Sequence, residues 1–233
     1  SLAAGTLSAA LVMVLLFGSL GAMVLAYLAP LPLFYVGLVY GVAAVALAGL
    51  AGTAATAGIG WTAALGFLVT FALPVVILVR QALLWRDGPD KSREWFPPGM
   101  LVTWLAGLAA AGFVIATIAT SGIEGGRLGA LRPALERALA MLTTPGGMKA
   151  SASDELAQVM PGLIAASWMA MMAINGALAR GLAVRFGRNL RPSPAMADIE
   201  LHRALVVVLA AAAAVGALGG STGFVGVTVE AIA

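Results

Sequence analysis

The sequence lacks cysteine and contains very little histidine or charge. Of its 233 residues none is cysteine, and His202 is the single histidine. The first absence excludes disulfides, iron–sulfur clusters and thiol catalysis, and the second excludes most catalytic triads and histidine metal sites. Charged residues make up 10% of the chain, whereas a soluble domain has about 25%. We therefore expect a protein that is not an enzyme and that holds no cofactor or metal.

Charged, histidine and amide side chains are missing altogether from the first third of the chain. From Ser1 to Val79 there is no charged residue, histidine, asparagine or glutamine. A helix needs about 20 apolar residues to cross a bilayer, so this stretch has room for up to three crossings. A soluble fold would need polar faces at helical or strand period, and here there are none. We predict an all-α fold, in which residues 1–233 form a single integral membrane domain, a polytopic transmembrane helix bundle.

Polar and proline-rich segments divide the chain into six predicted crossings. These are Leu2–Leu28, Leu33–Ala54, Trp61–Val79, Met100–Thr120, Val159–Ala179 and Ala204–Phe224. Pro30 and Pro32 are expected to close the first crossing, while Pro74 lies inside the third. Residues 121–158 form the longest connection, outside the membrane. Within it, leucines recur at helical spacing over Arg127–Leu142, which predicts an amphipathic interfacial helix between the fourth and fifth crossings.

The distribution of Lys and Arg predicts the orientation. The connections after the third and fifth crossings, which share a side, hold nine basic residues, and the opposite side holds four. The positive-inside rule places the nine in the cytoplasm and Ser1 outside. The net charge of +3 therefore reports orientation in a lipid bilayer rather than nucleic-acid binding. Because the sequence begins with Ser and ends in an apolar stretch, we expect it to be trimmed from a longer chain.

A small residue recurs at every third or fourth position along the second predicted crossing. The set consists of Gly37, Gly41, Ala44, Ala48 and Gly52. Small residues allow helix backbones to approach closely in membranes. This stripe predicts close packing within the bundle, and the alternative is a docking face for another membrane subunit.

Asn175 is the only amide well inside a predicted crossing. It shares a helical face with Trp168, Met171 and Met172, which precede it by 7, 4 and 3 positions. One interpretation is a hydrogen bond between helices. The other is a ligand-binding face, in which methionine and tryptophan form an apolar wall and the amide orients a small molecule.

The string Glu94–Gly99 reads EWFPPG and precedes the fourth crossing. Two consecutive prolines favour an extended segment leading into the helix. We interpret it as a turn at the membrane surface, and the alternative is a gating or partner contact.

Three segments together resemble a family of predicted bacterial membrane proteins. These segments are Ala26–Leu38, Glu94–Leu101 and Pro161–Asn175, and the family is the YybS-like DUF2232 family. It is distantly similar to the substrate-binding S subunits of energy-coupling-factor vitamin transporters, which are six-helix bundles rich in small residues. The resemblance implies a multi-pass protein of the bacterial inner membrane. Such S subunits usually begin in the cytoplasm, however, and here the charge distribution places Ser1 outside.

Two functions remain open besides a membrane enzyme, which is the least favoured. The first is a non-enzymatic subunit that binds or transports a small molecule, driven by partner subunits because the chain has no nucleotide-binding motif. The second is a structural or assembly subunit of a larger membrane complex. A ligand-sized pocket inside the bundle would favour the first.

Overall fold

The computed structural model describes residues 1–88, 93–119, 122 and 150–191. Its helices are α1 (Leu2–Met13), α2 (Leu20–Tyr27), α3 (Pro30–Tyr40), α4 (Val42–Ala57), α5 (Trp61–Phe67), α6 (Leu73–Ala82), α7 (Pro98–Ala119) and α8 (Ala150–Arg185). A 3₁₀-helix (Val14–Phe17) follows α1, and a π-helix (Leu68–Ala72) joins α5 to α6. Two strands, β1 (Trp85–Asp87) and β2 (Arg93–Trp95), lie between α6 and α7.

The described residues belong to two compact units. Unit 1 takes its residues from Ser1–Leu105 and Ala170–His202, and unit 2 takes its residues from Ala106–Met169 and Arg203–Ala233. Unit 1 therefore contains α1 to α6, the strands, the first turns of α7 and the second half of α8. The described part of unit 2 is the remainder of α7 and the first half of α8.

Four helical segments in the described part of the chain are long and apolar enough to cross a membrane. They are Gly21–Tyr40, Trp61–Ala82, Pro98–Ala116 and Gly162–Arg185, and two shorter apolar helices cover Leu2–Leu16 and Val42–Ala57. The third, fourth and fifth predicted crossings each correspond to one of the long segments. The sixth predicted crossing and the amphipathic helix at Arg127–Leu142 lie outside the described residues. Helix α8 begins at Ala150, inside the predicted connection 121–158.

The first predicted crossing, Leu2–Leu28, is wrong as a single helix. The chain tightens into the 3₁₀-helix after α1, and Gly18 then adopts a left-handed φ of +62°, which glycine tolerates without a Cβ clash. Ser19 starts α2, because its Oγ accepts a hydrogen bond from Ala22 N at 3.1 Å. Pro30 opens α3, where a missing N–H breaks no helical bond, and the apolar span Gly21–Tyr40 continues through it.

The second predicted crossing, Leu33–Ala54, is interrupted at Gly41. This residue has φ +92° and ψ 179° and separates α3 from α4. A side chain would strain that backbone. Gly41, the second residue of the small-residue stripe, therefore marks a break between two helices. The helices on either side still pack against each other, because Gly37 and Val45 face one another there: a Cβ at Gly37 would lie 3.1 Å from Val45 Cβ.

The third crossing keeps its predicted course despite Pro74. Proline has no N–H and its ring crowds the carbonyl four residues earlier. The π-helix Leu68–Ala72 immediately precedes α6, in whose first turn Pro74 lies. A widened turn of this kind relieves the clash without ending the helix. The apolar span therefore runs unbroken from Trp61 to Ala82.

Small residues bring helix backbones close together inside unit 1, and many large apolar side chains are exposed on its outside. Added Cβ atoms at Gly5 and Gly52 would collide with Ala48 and with the Phe67 ring, respectively. Outside, Val24, Leu50 and Trp61 are 65%, 63% and 72% exposed. Extended apolar surface of this kind is unusual in water, whereas in a bilayer the lipid tails solvate it and close backbone contact holds the helices together.

A short antiparallel hairpin lies between α6 and α7, and the all-α prediction missed it. Trp85 pairs with Trp95, and Asp87 pairs with Arg93. The Arg93 guanidinium stacks over the Trp85 ring with its central carbon 4.6 Å from the ring centroid. On the other face, Arg86 Nε donates to Glu94 Oε2 at 2.7 Å. The string EWFPPG thus ends the hairpin and leads into α7.

Candidate functional site

A pocket of about 230 Å³ lies within unit 1. It is bounded by α3, α6, the first turns of α7 and the second half of α8. Its walls are largely apolar and include the bulky side chains of Phe34, Leu78, Leu101, Leu105 and Met172. For comparison, an engineered apolar cavity of about 150 Å³ is large enough to hold benzene. The pocket therefore has room for a small organic group.

The space exists because one face of α8 carries small residues. Ala173, Gly176, Ala177 and Arg180 line the pocket, and their spacing of 0, 3, 4 and 7 puts them on a single helical face. A Cβ added at Gly176 would lie 3.7 Å from the Phe34 ring. Ala173, Gly176 and Ala177 therefore make most of this face small and apolar, and Arg180 places a positive charge at its end.

The segment after α8 folds back over the charged end of the pocket. Gly187 has φ +63°, its N–H donates to Val184 O at 3.0 Å, and Arg188 N donates to Ala183 O at 2.9 Å. This is the Schellman pattern that closes helices with a left-handed glycine. The turn brings Asn189 and Arg191 to the pocket wall, beside Arg180.

Arg191 joins three elements at that end. Its Nη1 donates to Ala82 O, the last residue of α6, at 3.1 Å, and its Nη2 donates to Phe96 O at 2.9 Å. Its guanidinium carbon lies 6.0 Å from the centroid of the Trp95 ring. Burial lowers the pKa of Arg191, and the positive charge of Arg180 lowers it further. An arginine pKa is high enough that the group stays protonated in proteins.

The two basic segments of the sequence meet at this end of unit 1. Arg191 contacts residues on both sides of the hairpin, and Arg188 Nη1 donates to Tyr40 OH at 3.2 Å. Helices α3, α6 and α8 therefore end here, while α4 starts directly after Gly41 and α7 starts directly after Pro97. Within the described residues, the segments that directly follow α6 and α8 therefore lie together.

Of the four residues predicted to bind a ligand, Met172 lines the pocket. Trp168 belongs to unit 2. Met171 and Asn175 are buried in unit 1, at 7% and 0% exposure, but do not line this pocket. They occupy the neighbouring face of α8.

Asn175 holds the junction between α2 and α3. Its Nδ2 donates to Tyr27 O, at the last residue of α2, and to Met171 O, both at 2.8 Å. Because both partners are acceptors, they fix the orientation of the amide. Carbonyls at a helix end lack intrahelical partners, and Asn175 satisfies one of them. Nearby, Ser8 Oγ donates to Ala29 O at 2.6 Å.

The Oδ1 atom of Asn175 is buried and has no hydrogen-bond partner among the described residues. The bond from Asn175 Nδ2 to Tyr27 O is the hydrogen bond between helices that the first interpretation expects. Among the described residues, Oδ1 accepts no hydrogen bond. The structure does not direct the amide into the pocket.

The predicted small-residue stripe divides into three parts. Gly37, Ala48 and Gly52 pack inside unit 1, Gly41 forms the break between α3 and α4, and Ala44 is half-buried. Three of the five positions therefore contact neighbouring helices of the same unit.

The pocket could not be predicted from the sequence, because Asn175 pointed to the wrong face of α8. Asn175 drew attention to one face of α8, whereas the pocket lies on the adjacent face, which begins at Ala173. The available signal was the run of small residues ending in Arg180. The contribution of Arg191 depends on the turn at Gly187 and has no periodic signal.

Comparisons with known proteins give no match: no family model, no curated protein and no solved structure corresponds to the chain. The resemblance to the YybS-like DUF2232 family stays a prediction. In the part of the chain that the structure describes, no group of three or more His, Cys, Asp or Glu side chains is placed to hold a metal ion.

Proposed function

We propose that this chain is a non-enzymatic, multi-pass subunit of the bacterial inner membrane that binds a small molecule. The observation that carries the proposal is the pocket of about 230 Å³ in unit 1. Small-molecule sites are typically concave and mostly apolar, with a few polar groups that orient the ligand. The pocket combines Phe34, Leu101 and Met172 with Arg180 and Arg191 in that manner.

The arginine end of the pocket faces the cytoplasm in this proposal. The segments after α6 and α8 meet at that end and carry Arg86, Arg93, Arg188 and Arg191, and Arg185 is the last residue of α8. Basic connections stay on the cytoplasmic side of bacterial membranes. The exposed aliphatic side chains along the helices support placing the apolar spans in lipid.

Transport by such a subunit would depend on partner proteins. The sequence has no nucleotide-binding motif and few charges within its apolar spans, and ion-coupled carriers use such charges to drive movement. The likeness to S subunits gives the same division of labour: this chain binds the molecule, and other membrane subunits supply energy. A structural or assembly subunit is the alternative that the following experiment separates from it.

The test compares a pocket-filling substitution with a matched control on the same helix. Ala177 lines the pocket, whereas Ala170 is exposed on α8 and does not. Wild-type protein, Ala177→Trp and Ala170→Trp are released from bacterial membranes into a neutral detergent and measured by native mass spectrometry.

We expect an adduct of defined mass on the wild type and on Ala170→Trp, and its loss from Ala177→Trp. The indole fills the space that the ligand needs, while the control adds the same surface elsewhere. If none of the three proteins carries an adduct, or if Ala177→Trp carries the same one, the pocket is not a binding site. The structural-subunit function then takes its place.

A further inference from the structure

Most of the pocket wall belongs to segments that are long and apolar enough to cross a membrane. The lining residues that follow α8 are Asn189, Leu190 and Arg191. All the others lie in the four apolar spans Gly21–Tyr40, Trp61–Ala82, Pro98–Ala116 and Gly162–Arg185. In a bilayer, hydrocarbon surrounds such spans. The pocket therefore lies mostly at the depth of the lipid tails.

The pocket is open on the side where α7 and α8 form its wall. Val102 on α7, with Ala173 and Ala177 on α8, lines the pocket and is exposed, as they are; we call these three residues the side opening. Deeper in the same pocket, Leu105 and Met172 are only 6% and 1% exposed. All three residues of the side opening are apolar and lie within the spans, so the opening faces lipid tails rather than water.

The length of the pocket matches the thickness of one leaflet. Along α8 its wall runs from Met172 to Ala183, which is about 16 Å at a rise of about 1.5 Å per residue. The hydrocarbon core is about 30 Å thick, so one leaflet contributes about 15 Å. Ala183 lies close to Arg185, where the apolar span ends. The wall therefore runs from the end of the span to about the middle of the bilayer.

The polar residues beyond α8 close the end of the pocket and are bound to backbone carbonyls. Asn189 Nδ2 donates to Arg191 O at 3.0 Å, and Arg191 donates to Ala82 O and Phe96 O. Along most of its length the pocket therefore offers apolar contacts. Its volume of about 230 Å³ is below the roughly 300–1,000 Å³ typical of drug-sized ligands. A long pocket of this volume is narrow, which suits one hydrocarbon chain and excludes two.

We propose that the pocket binds one acyl chain of a membrane lipid, which enters from the surrounding leaflet through the side opening. The chain lies against Phe34, Leu105 and Met172, and the headgroup stays outside, at the end of the pocket that Arg191 closes. An empty cavity forfeits dispersion contacts along its walls, and a chain of matching width restores them. The inference rests on the proposed function, because it names the class of molecule that the same pocket binds.

The test detects a lipid chain at a residue that bulk lipid does not reach. The full chain is placed in phosphatidylcholine nanodiscs in which part of the lipid carries a photoactivatable diazirine in one acyl chain. Crosslinked residues are located by tandem mass spectrometry. Met172 reports on the pocket, because it lines the pocket and is 1% exposed. Leu178 is the reference for bulk lipid, because it is 46% exposed on α8 and does not line the pocket.

We expect the lipid probe to crosslink both Met172 and Leu178 in the wild type. This measurement needs no variant and does not depend on how a mutant folds. A photoactivatable sterol should crosslink Leu178 but not Met172, because its fused rings are wider than a single chain.

Two variants then assign the crosslink to the side opening. Val102→Trp and Ala177→Trp block it from α7 and from α8, and each should abolish crosslinking of the lipid probe at Met172 while Leu178 still reacts. Ala170→Trp is the control and should match the wild type at both residues. In native mass spectrometry, the adduct on the wild type should have the mass of a membrane phospholipid.

The outcomes separate this inference from the proposed function. If Leu178 reacts and Met172 does not, no acyl chain occupies the pocket and the inference is wrong. The proposed function still holds in that case if Ala177→Trp loses a non-lipid adduct, and it fails if the wild type carries no adduct. Crosslinking at Met172 that persists in both blocked variants, or that the sterol gives equally, would contradict a single chain entering through the side opening.

Discussion

The close approach of α1 and α4 at Gly5 predicts that one added methyl group destabilises unit 1. A Cβ at Gly5 would overlap the carbonyl oxygen of Ala48 and lie 3.0 Å from Gly52 N. Because these are backbone atoms, they cannot rotate away, and α1 and α4 must separate. Overpacking costs about 1–3 kcal/mol, whereas replacing glycine by alanine within a helix gains about 1 kcal/mol at most. Gly5→Ala should therefore lower the free energy of unfolding by up to about 2 kcal/mol.

Gly66→Ala is the matched control for that change. Gly66 lies in α5, and no atom comes within 4 Å of a Cβ placed on it. Only the gain in helix propensity applies there, so this variant should be as stable as the wild type or slightly more so. The assay is thermal unfolding in a neutral detergent, in which about 1 kcal/mol shifts the midpoint by about 2–4 °C in a chain of this size. Equal midpoints for the two variants would show that α1 does not pack on α4 as described.

Three further predictions follow from other contacts. Asn175→Leu should lower stability by about 1 kcal/mol or less in the same thermal assay, because an intramembrane hydrogen bond contributes about 0.6 kcal/mol on average; a loss several times larger would contradict a purely helix-joining role. Single cysteines at Asp87 and Arg185 should react with an impermeant thiol reagent only from the cytoplasmic side, and one at Ile59 only from the other; the opposite pattern would reverse the orientation. Arg191→Lys should increase proteolytic cleavage in the hairpin, because lysine cannot bridge the carbonyls of Ala82 and Phe96 through a planar guanidinium. An unchanged cleavage rate would show that Arg191 does not hold the hairpin in place.

Hydrophobicity alone was enough to predict that apolar helices dominate this chain and where three of the long ones lie. Charged or polar segments flank Pro98–Ala116 and Gly162–Arg185 and follow Trp61–Ala82, and a span needs about 20 apolar residues. Pro74 was correctly placed inside a helix, because the effect of a proline on its own helix is local.

The divisions within the N-terminal apolar run could not be predicted in the same way. Between Ser1 and Val79 no polar segment separates one helix from the next, so proline was the only visible marker. The chain instead breaks at Gly18 and Gly41 through positive φ angles, and glycine is equally common inside the packed helices. Whether a given glycine packs or turns depends on tertiary contacts that a single sequence does not contain.

The pocket was hidden for a related reason. A cavity arises where small residues on one helix oppose large ones that cannot fill the gap, and this requires knowing which helices are neighbours. Met172 was found through its spacing from Asn175. Arg191 was not, because it reaches the pocket only through the turn at Gly187 and its bonds to Ala82 and Phe96.

Cysteine labelling of the pocket wall gives the most direct test of the central claim, that the pocket in unit 1 is a binding site for a small molecule. The chain has no cysteine, so Ala177→Cys introduces a single thiol in the pocket and Ala170→Cys introduces one on α8 outside it. The rate of reaction with a small neutral thiol reagent is measured with and without the molecule that native mass spectrometry identifies on the wild type. We expect this molecule to slow labelling at position 177 and to leave the rate at position 170 unchanged. Equal rates at position 177 with and without the molecule, at concentrations that saturate the wild type, would contradict the claim.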